Sequence, residues 1–296
     1  MNCPICHSSD TSIFLEGLND FNFNATQEKF NLLACKRCDA KFQYPFIPES
    51  EVGKYYPASS YQPFRLNHAP IQLAWKYNAQ SIYLRALHER YQKEDQFSLI
   101  DVGFGGGTFL MSVKYYFPNA VLMGIDVSET AIDNLKSIGI EGVCGSLYNF
   151  DAQRTFDYIV SSQVLEHLNQ PYLFLKTLEK LAHADTQIMI DVPATDSFTA
   201  KQFGRNWTHW DPPRHSILYS EITLKYLFKD FKTLQIRHAG SMLAILSSYK
   251  VKRGKSPLQP IFPLEQIVFG IAQQIGKLFK LHFLFDDKLI WIGKIK

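Results

Sequence analysis

Apolar residues along the 296-residue chain fall into two alternating rhythms, short unbroken runs and wider helical spacings. Leu99-Ile100-Asp101-Val102 is an apolar run closed by an acid, which predicts a buried strand. Phe109, Leu110, Val113, Tyr116 and Phe117 then recur at helical spacing until Pro118 stops them. The same alternation repeats: a strand over 121–126 ending on Asp126, a helix over 130–138, a short strand over 142–144, and a strand over 156–162. A helical pattern starting at Glu166 and His167 continues through Leu173, Leu175, Leu178 and Leu181, and a strand spans 186–193. Strand–helix units at such short intervals predict an α/β fold, a doubly wound, mostly parallel sheet that binds ligands at the carboxyl ends of its strands. A helix over 220–231 and strands over 233–238 and 288–293 complete a seven-stranded, Rossmann-like sheet.

Two segments stand outside this rhythm. Leu73, Tyr77, Ile82, Leu84 and Leu87 predict a leading helix over 71–91. Leu264, Ile267, Val268, Ile271, Ala272, Ile275, Leu278 and Phe279 predict an amphipathic helix inserted between the last two strands. Nine basic residues against three acids over 250–296 leave two readings of residues 261–286. One is peripheral contact with the inner face of a membrane; the other is packing on the sheet or on a second subunit. The expected divisions are 1–45, 46–96, 97–240, 241–287 and 288–296.

Composition narrows the function. A hydrophobic content of 46% fits a globular chain, and a net charge of +3 from 31 basic and 28 acidic residues is too balanced for a dedicated nucleic-acid binder. No nucleic-acid partner is expected. The chain opens without a charged n-region and apolar h-region, and a cytoplasmic location is expected. Pro45, Pro48, Pro57, Pro63 and Pro70 mark an irregular linker. Its Tyr55, Tyr56 and Tyr61 are read either as a lid over a ligand mouth or as glue between modules.

Five cysteines fall as Cys3-x-x-Cys6, Cys35-x-x-Cys38 and a lone Cys144. The odd count argues for thiols in a reducing compartment. The two C-x-x-C pairs have the form of a zinc ribbon, in which four thiolates close a structural site with no open position. The alternative is four unmetallated thiols. His7 is expected to be a bystander, strands near 13–15 and 29–33 to form a hairpin, and Cys144 to be a buried small residue.

The chemistry concentrates after the first core strand. Gly103, Gly105 and Gly107 form a turn between strand and helix, where glycine accepts positive φ and leaves backbone N–H groups open to a ligand. Thr108 stands where the third glycine of a nicotinamide fingerprint would fall. Asp126 ends the second strand, where a sheet of this kind presents an acid to ribose hydroxyls. This loop, with Asp101 before it, resembles that of class I S-adenosylmethionine-dependent methyltransferases, with Phe104 where cysteine is frequent. The resemblance implies S-adenosylmethionine as cofactor, Ser146 and Leu147 beside its adenine, and Gln163 near its methionine part. Glu166 and His167 are open to capping, packing or catalysis.

A second dense segment follows the fifth strand. Trp207 and Trp210 offer stacking walls, Arg214 an anion contact, Tyr219 a further substrate contact, and His209 or His215 a base. The alternative is structural, with Arg214 paired to Asp211 and His215 capping the next helix. The Trp207 to Pro213-Arg214-His215 stretch resembles one in methyltransferases that carry an N-terminal zinc ribbon, including sugar C-methyltransferase relatives. Asp39 stands where such ribbons often have glycine. The resemblance implies methyl transfer to a small-molecule, sugar-nucleotide, surface-polysaccharide or lipid-linked acceptor. A nicotinamide enzyme and a non-catalytic interaction protein are the rival readings.

Overall fold

The structure, a computed structural model, describes residues 1–56, 79–148, 150–240, 242–257 and 286–296. The expected lid residue Tyr61, the first half of the leading helix and the amphipathic pattern from Leu264 to Phe279 lie outside the described residues.

The chain begins as an antiparallel meander, β1 (Thr11–Leu18), β2 (Phe30–Cys35) and β3 (Lys41–Tyr44), followed by a single helical turn α1 (Glu49–Val52). Next come α2 (Ala79–Arg90), β4 (Ser98–Val102), α3 (Thr108–Tyr116), β5 (Val121–Asp126), α4 (Glu129–Ser137) and β6 (Glu141–Cys144). β7 (Phe156–Ser162), α5 (Pro171–Leu181), β8 (Ala182–Pro193) and α6 (Phe198–Phe203) follow. The remainder is β9 (Ile217–Leu218), α7 (Glu221–Leu227), β10 (Phe231–Gly240), α8 (Met242–Lys252) and β11 (Asp286–Ile295).

Two compact units share this chain, each assembled from separated segments. One is built from Tyr61–Val192, Leu227–Ile236 and Ile290–Lys296. It carries the seven-stranded sheet, in the order β10-β11-β8-β7-β4-β5-β6. The pairs β4·β5, β4·β7, β5·β6 and β7·β8 are all parallel. Leu99, Ile100, Val102, Ile159, Val160, Ile188 and Met189 are buried in it, as expected of strands covered on both faces. Helix starts are set locally: the Ser128 hydroxyl accepts from Ala131 N–H to cap α4, and Pro171, which has no N–H to lose, opens α5.

The other unit is built from Met1–Ser60, Pro193–Tyr226 and Arg237–Leu289. Its sheet has the order β1-β2-β3-β9, so residues from beyond position 200 add a strand to the N-terminal meander. Leu18, Leu32, Trp207, Trp210, Leu218 and Ala200 form one buried apolar cluster in this unit.

Two expectations are corrected here. Glu166 and His167 do not begin the long helix: they sit in a 3-10 turn, Leu165–His167, and α5 starts afresh at Pro171. The residue before a proline is pushed out of the helical region, which separates the two. Cys144 is exposed rather than buried, because β6 is the edge strand of its sheet.

Candidate functional site

In the sheet-bearing unit, β4 and β5 each deliver an acid to the carboxyl end of the sheet, and the glycine turn lies between them. Gly103, Gly105 and Gly107 have φ of 76°, 57° and 79°, a region that side chains disfavour. At Gly103 the requirement is double, since a Cβ there would come within 2.4 Å of the Val164 Cγ2. Gly103 N–H donates to the Ile125 carbonyl (2.7 Å), and Gly105 N–H to Asp126 Oδ2 (2.9 Å). The other Asp126 oxygen accepts from Ser128 N–H at 3.0 Å. Two N–H bonds leave a carboxylate further lone pairs for hydroxyl donors. Burial pushes the Asp126 carboxyl up against the pull of these N–H groups.

Asp101 is buried, and its Oδ1 has no hydrogen-bond partner among the described residues. Burial, then the charges of Asp126 and Asp191, hold its carboxyl well above the usual range. A buried acid of this kind is neutralised by a proton or by a bound cation. The N–H groups of all three glycines are taken within the chain, Gly107 donating to the Phe104 carbonyl at 3.1 Å, so the expected cradle of open glycine N–H groups is not formed and the residues around the turn suit a ligand that brings hydroxyls and a positive charge.

Asp191 is a residue that sequence reasoning passed over, although it shows the same signal as Asp101 and Asp126, an acid at the end of a parallel strand. Its carboxylate accepts from Tyr83 Oη (2.7 Å) and from Gln163 Nε2 (2.9 Å), and its carbonyl from Gln163 N–H (3.0 Å). Gln163 itself has φ 55°. Leu147 is buried, whereas Ser146 is exposed and its Oγ accepts from Tyr148 N–H. The adjoining Gly145 N–H donates to the Asp126 carbonyl at 3.0 Å, which ties the loop after β6 to the end of β5.

In the other unit, the Sγ atoms of Cys3, Cys6, Cys35 and Cys38 all lie within 4.8 Å of one another and all four residues are buried. Cys3 and Cys38 are 3.5 Å apart and Cys6 and Cys35 3.4 Å, far beyond a disulfide bond. Four sulfurs tetrahedral about zinc stand about 3.8 Å apart, given Zn–S bonds of about 2.3 Å. The backbone repeats itself around the two pairs. His7 N–H donates to Cys3 O and Asp39 N–H to Cys35 O, both at 3.0 Å; Cys3 N–H donates to Ser8 O and Cys35 N–H to Ala40 O, both at 2.9 Å. His7 and Asp39 occupy matching left-handed positions, φ 57° and 62°. Asp39 thus takes the conformation for which glycine is usual, and Lys41 Nζ holds its carboxylate at 2.6 Å. His7 is not among the clustered ligands. The hydrogen bond shared between Cys3 and Cys38 lowers the Cys3 thiol and raises that of Cys38.

The same unit contains the segment from Phe203 to Ser220. Trp207, Trp210, Arg214 and Tyr219 are all buried. The two indoles pack edge to face, centroids 4.8 Å apart, and Trp210 Nε1 donates to Gly204 O at 2.7 Å. Trp207 Nε1 is buried with no partner among the described residues. Arg214 takes up the carboxylate pairing that the sequence left open, bonding Asp211 and also Asp20 from the N-terminal hairpin. Tyr55 belongs here too, its ring against Phe30 and its carbonyl accepting from Arg214 Nη1. His209 Nε2 lies 3.3 Å from Asp287 Oδ2, and Asp287 is fully buried. His215 is nearly enclosed, with Nδ1 2.7 Å from the His209 carbonyl. Asp287 and Asp20 carried no signal of their own, because nothing in sequence order brings them to this segment.

Comparison with known proteins bears on the whole. Residues 68–232, more than half of the chain, match the family model described as a methyltransferase domain. The chain is 24% identical over 110 residues to the (S)-tetrahydroprotoberberine N-methyltransferase of Eschscholzia californica, covering 35% of this chain and 31% of that protein. It is 28% identical over 130 residues to the ubiquinone biosynthesis O-methyltransferase of Mesorhizobium japonicum, covering 42% and 49%. The chain thus spans 31% and 49% of the length of these two curated relatives. Among solved structures it is similar to a SAM-dependent methyltransferase from Archaeoglobus fulgidus (16% identity, TM-score 0.47, 75% of this chain and 96% of that one). It is also similar to the plantazolicin methyltransferase BpumL (19% identity, TM-score 0.49, 83% and 93%). The matched residues run from before α2 to the first residues of β10 and include the glycine turn and its acids, and on that match the chain belongs to the methyltransferase domain family.

Proposed function

We propose that this protein transfers a methyl group from S-adenosylmethionine to a small-molecule acceptor, with sugar-nucleotide, polysaccharide-linked and lipid-linked acceptors as the finer possibilities. The observation that carries the reading is the turn of three positive-φ glycines between Asp126 and a buried Asp101, one oxygen of which has no partner among the described residues. In this reading the adenosyl ribose takes the remaining lone pairs of Asp126. Ser146 and Leu147 border the adenine, Gln163 the methionine part, and the acids balance the positive charge of the ligand.

Bound S-adenosylmethionine supplies an electrophilic methyl group on a sulfonium, which carries its own leaving group. The chain's residues then have two tasks. They fix the acceptor in line with the methyl–sulfur bond, where most of the acceleration arises, and they take its proton. We take His209, whose Nε2 lies against Asp287, as the base in preference to His215, which is more enclosed and whose Nδ1 lies against the His209 carbonyl. The indoles of Trp207 and Trp210, together with Tyr219, supply the walls of this segment, and Arg214 sets its backbone. The family's relatives include both N- and O-methyltransferases; an acceptor O–H or N–H would release a proton on methylation, whereas a tertiary amine would have none to give and would need no base.

We further read Cys3, Cys6, Cys35 and Cys38 as the ligands of a structural zinc ion, supported by their spacing, their burial and the matched backbone turns around them. Calorimetric titration with S-adenosylmethionine and S-adenosylhomocysteine tests the main reading, followed by a labelled-methyl screen of acceptor pools. Binding of neither compound removes it.

A further inference from the structure

The glycine turn does not hold its shape alone. Val164 fills the space a Cβ would need at Gly103, so the segment after β7 and the glycine turn are in direct contact. That segment begins with Gln163 in the left-handed region at φ 55°, a conformation that a non-glycine residue keeps only where its surroundings hold it. Asp191 does the holding. Its carbonyl accepts from Gln163 N–H at 3.0 Å and its Oδ2 from Gln163 Nε2 at 2.9 Å. Its Oδ1 accepts from Tyr83 Oη at 2.7 Å. Tyr83 is fully buried on α2, edge to face with Phe109 of α3, the helix that the glycine turn opens. The contacts thus run from Tyr83 through Asp191 and Gln163 to Val164 and Gly103.

We propose that Tyr83 and Asp191 are positioning residues of the cofactor site, fixing Gln163 and Val164 and through them the glycine turn. The inference rests on the reading of that turn as the S-adenosylmethionine site. Neither residue reacts. Asp191 needs both carboxylate oxygens as acceptors, because one faces a phenol hydroxyl and the other an amide N–H. An asparagine there would turn an NH2 toward one of these donors. A phenylalanine at position 83 removes a single hydroxyl and keeps the ring packing.

S-adenosylhomocysteine is the probe, titrated into the full chain by calorimetry, with thermal melts run in parallel. Tyr83→Phe is expected to weaken binding several-fold and Asp191→Asn about tenfold or more, the scale of losing hydrogen bonds to a buried charge. Gln163→Ala alone should weaken binding as well. Placing Asp191→Asn on the Gln163→Ala background should then add little, because the two act as one unit. Wild type that fails to bind the probe overturns the cofactor reading and this inference with it. Wild type that binds, with variants that melt lower yet bind equally well, overturns the inference alone. Fully additive losses in the double variant overturn the route through Gln163. Tyr83→Phe is the mild variant, and it decides the matter if Asp191→Asn does not fold.

Discussion

Arg214 and Asp20 stand 194 positions apart in the chain, yet Arg214 Nη2 donates to Asp20 Oδ1 at 2.5 Å with both side chains fully buried. The guanidinium also binds Asp211 through Nε (3.0 Å) and Nη2 (2.6 Å), donates to the Tyr55 carbonyl (3.1 Å) and lies 4.6 Å over the Phe23 ring. Asp20 in turn accepts from Phe23 and Ala25 N–H. A buried arginine with two carboxylates is tolerated only when each group is paired, so removing one partner strands the rest. Asp20→Ala is expected to cost about 3–5 kcal/mol in urea unfolding. Asp20→Asn, which keeps the acceptor oxygen, should cost less.

Acid sensitivity follows from the same cluster. Burial alone would raise the Asp211 carboxyl, but the charge and hydrogen bonds of Arg214, with His215 and Asn22 behind them, outweigh it and leave it lowered. A carboxyl lowered by folding contributes stability above its unfolded value, about 3.9, and that contribution is lost as pH falls through the folded value. Melting temperature should therefore decline below about pH 4. In Asp211→Asn the decline should be shallower and start from a lower plateau.

Asp101 carries the opposite sign. Burial, Asp126 and Asp191 raise its carboxyl, so its contribution is full below the unfolded value and is lost as pH rises through the folded one. Asp101→Asn is expected to stabilise the ligand-free protein toward higher pH and to weaken S-adenosylmethionine binding. Wild type should release a proton on binding that cation, seen as a buffer-dependent calorimetric enthalpy. A heat that is the same in buffers of different ionisation enthalpy would contradict this.

Gly103→Ala combines a left-handed φ with a Cβ only 2.4 Å from the Val164 Cγ2. The expected cost is about 1–3 kcal/mol, together with loss of S-adenosylhomocysteine binding. Gly145→Ala, with no atom of the described residues within 4 Å of the added carbon, is the control and should leave stability and binding near wild type.

Metal analysis of the purified chain should find one zinc per molecule. Chelation should perturb more than the cysteine turns. Thr223 Oγ1 donates to the Cys38 carbonyl at 2.9 Å, β3 pairs with β9, and Trp207 and Trp210 share the apolar cluster of Leu18 and Leu32. Stripping the metal is therefore expected to shift tryptophan emission to the red and open residues 203–220 to protease. Unchanged emission in metal-free protein would contradict that coupling.

His209→Ala should lower methyl transfer by about 10²–10⁴-fold in an acceptor-matched assay while S-adenosylhomocysteine affinity stays put. His215→Ala, placed against the His209 carbonyl, should act more weakly and mainly through stability.

The apolar runs were enough to determine the parallel strands and the acids Asp101 and Asp126 at their ends, and the spacing of glycines and cysteines was enough to mark the turn after β4 and the two C-x-x-C knuckles. All of these are local: a strand end, a turn and a knuckle are each encoded within a few consecutive residues. The split at Pro171 was equally local, but the continuous leucine spacing hid the proline's effect on the residue before it. Tertiary structure alone decided that β9 joins the N-terminal sheet, that Arg214 is balanced by Asp20, that Asp287 stands behind His209, and that Asp191 holds Gln163 for Tyr83. Such relations depend on which distant segments share a buried space. Periodicity carries no information about that, because a residue's spacing reports the face it occupies and not the partner that face will meet.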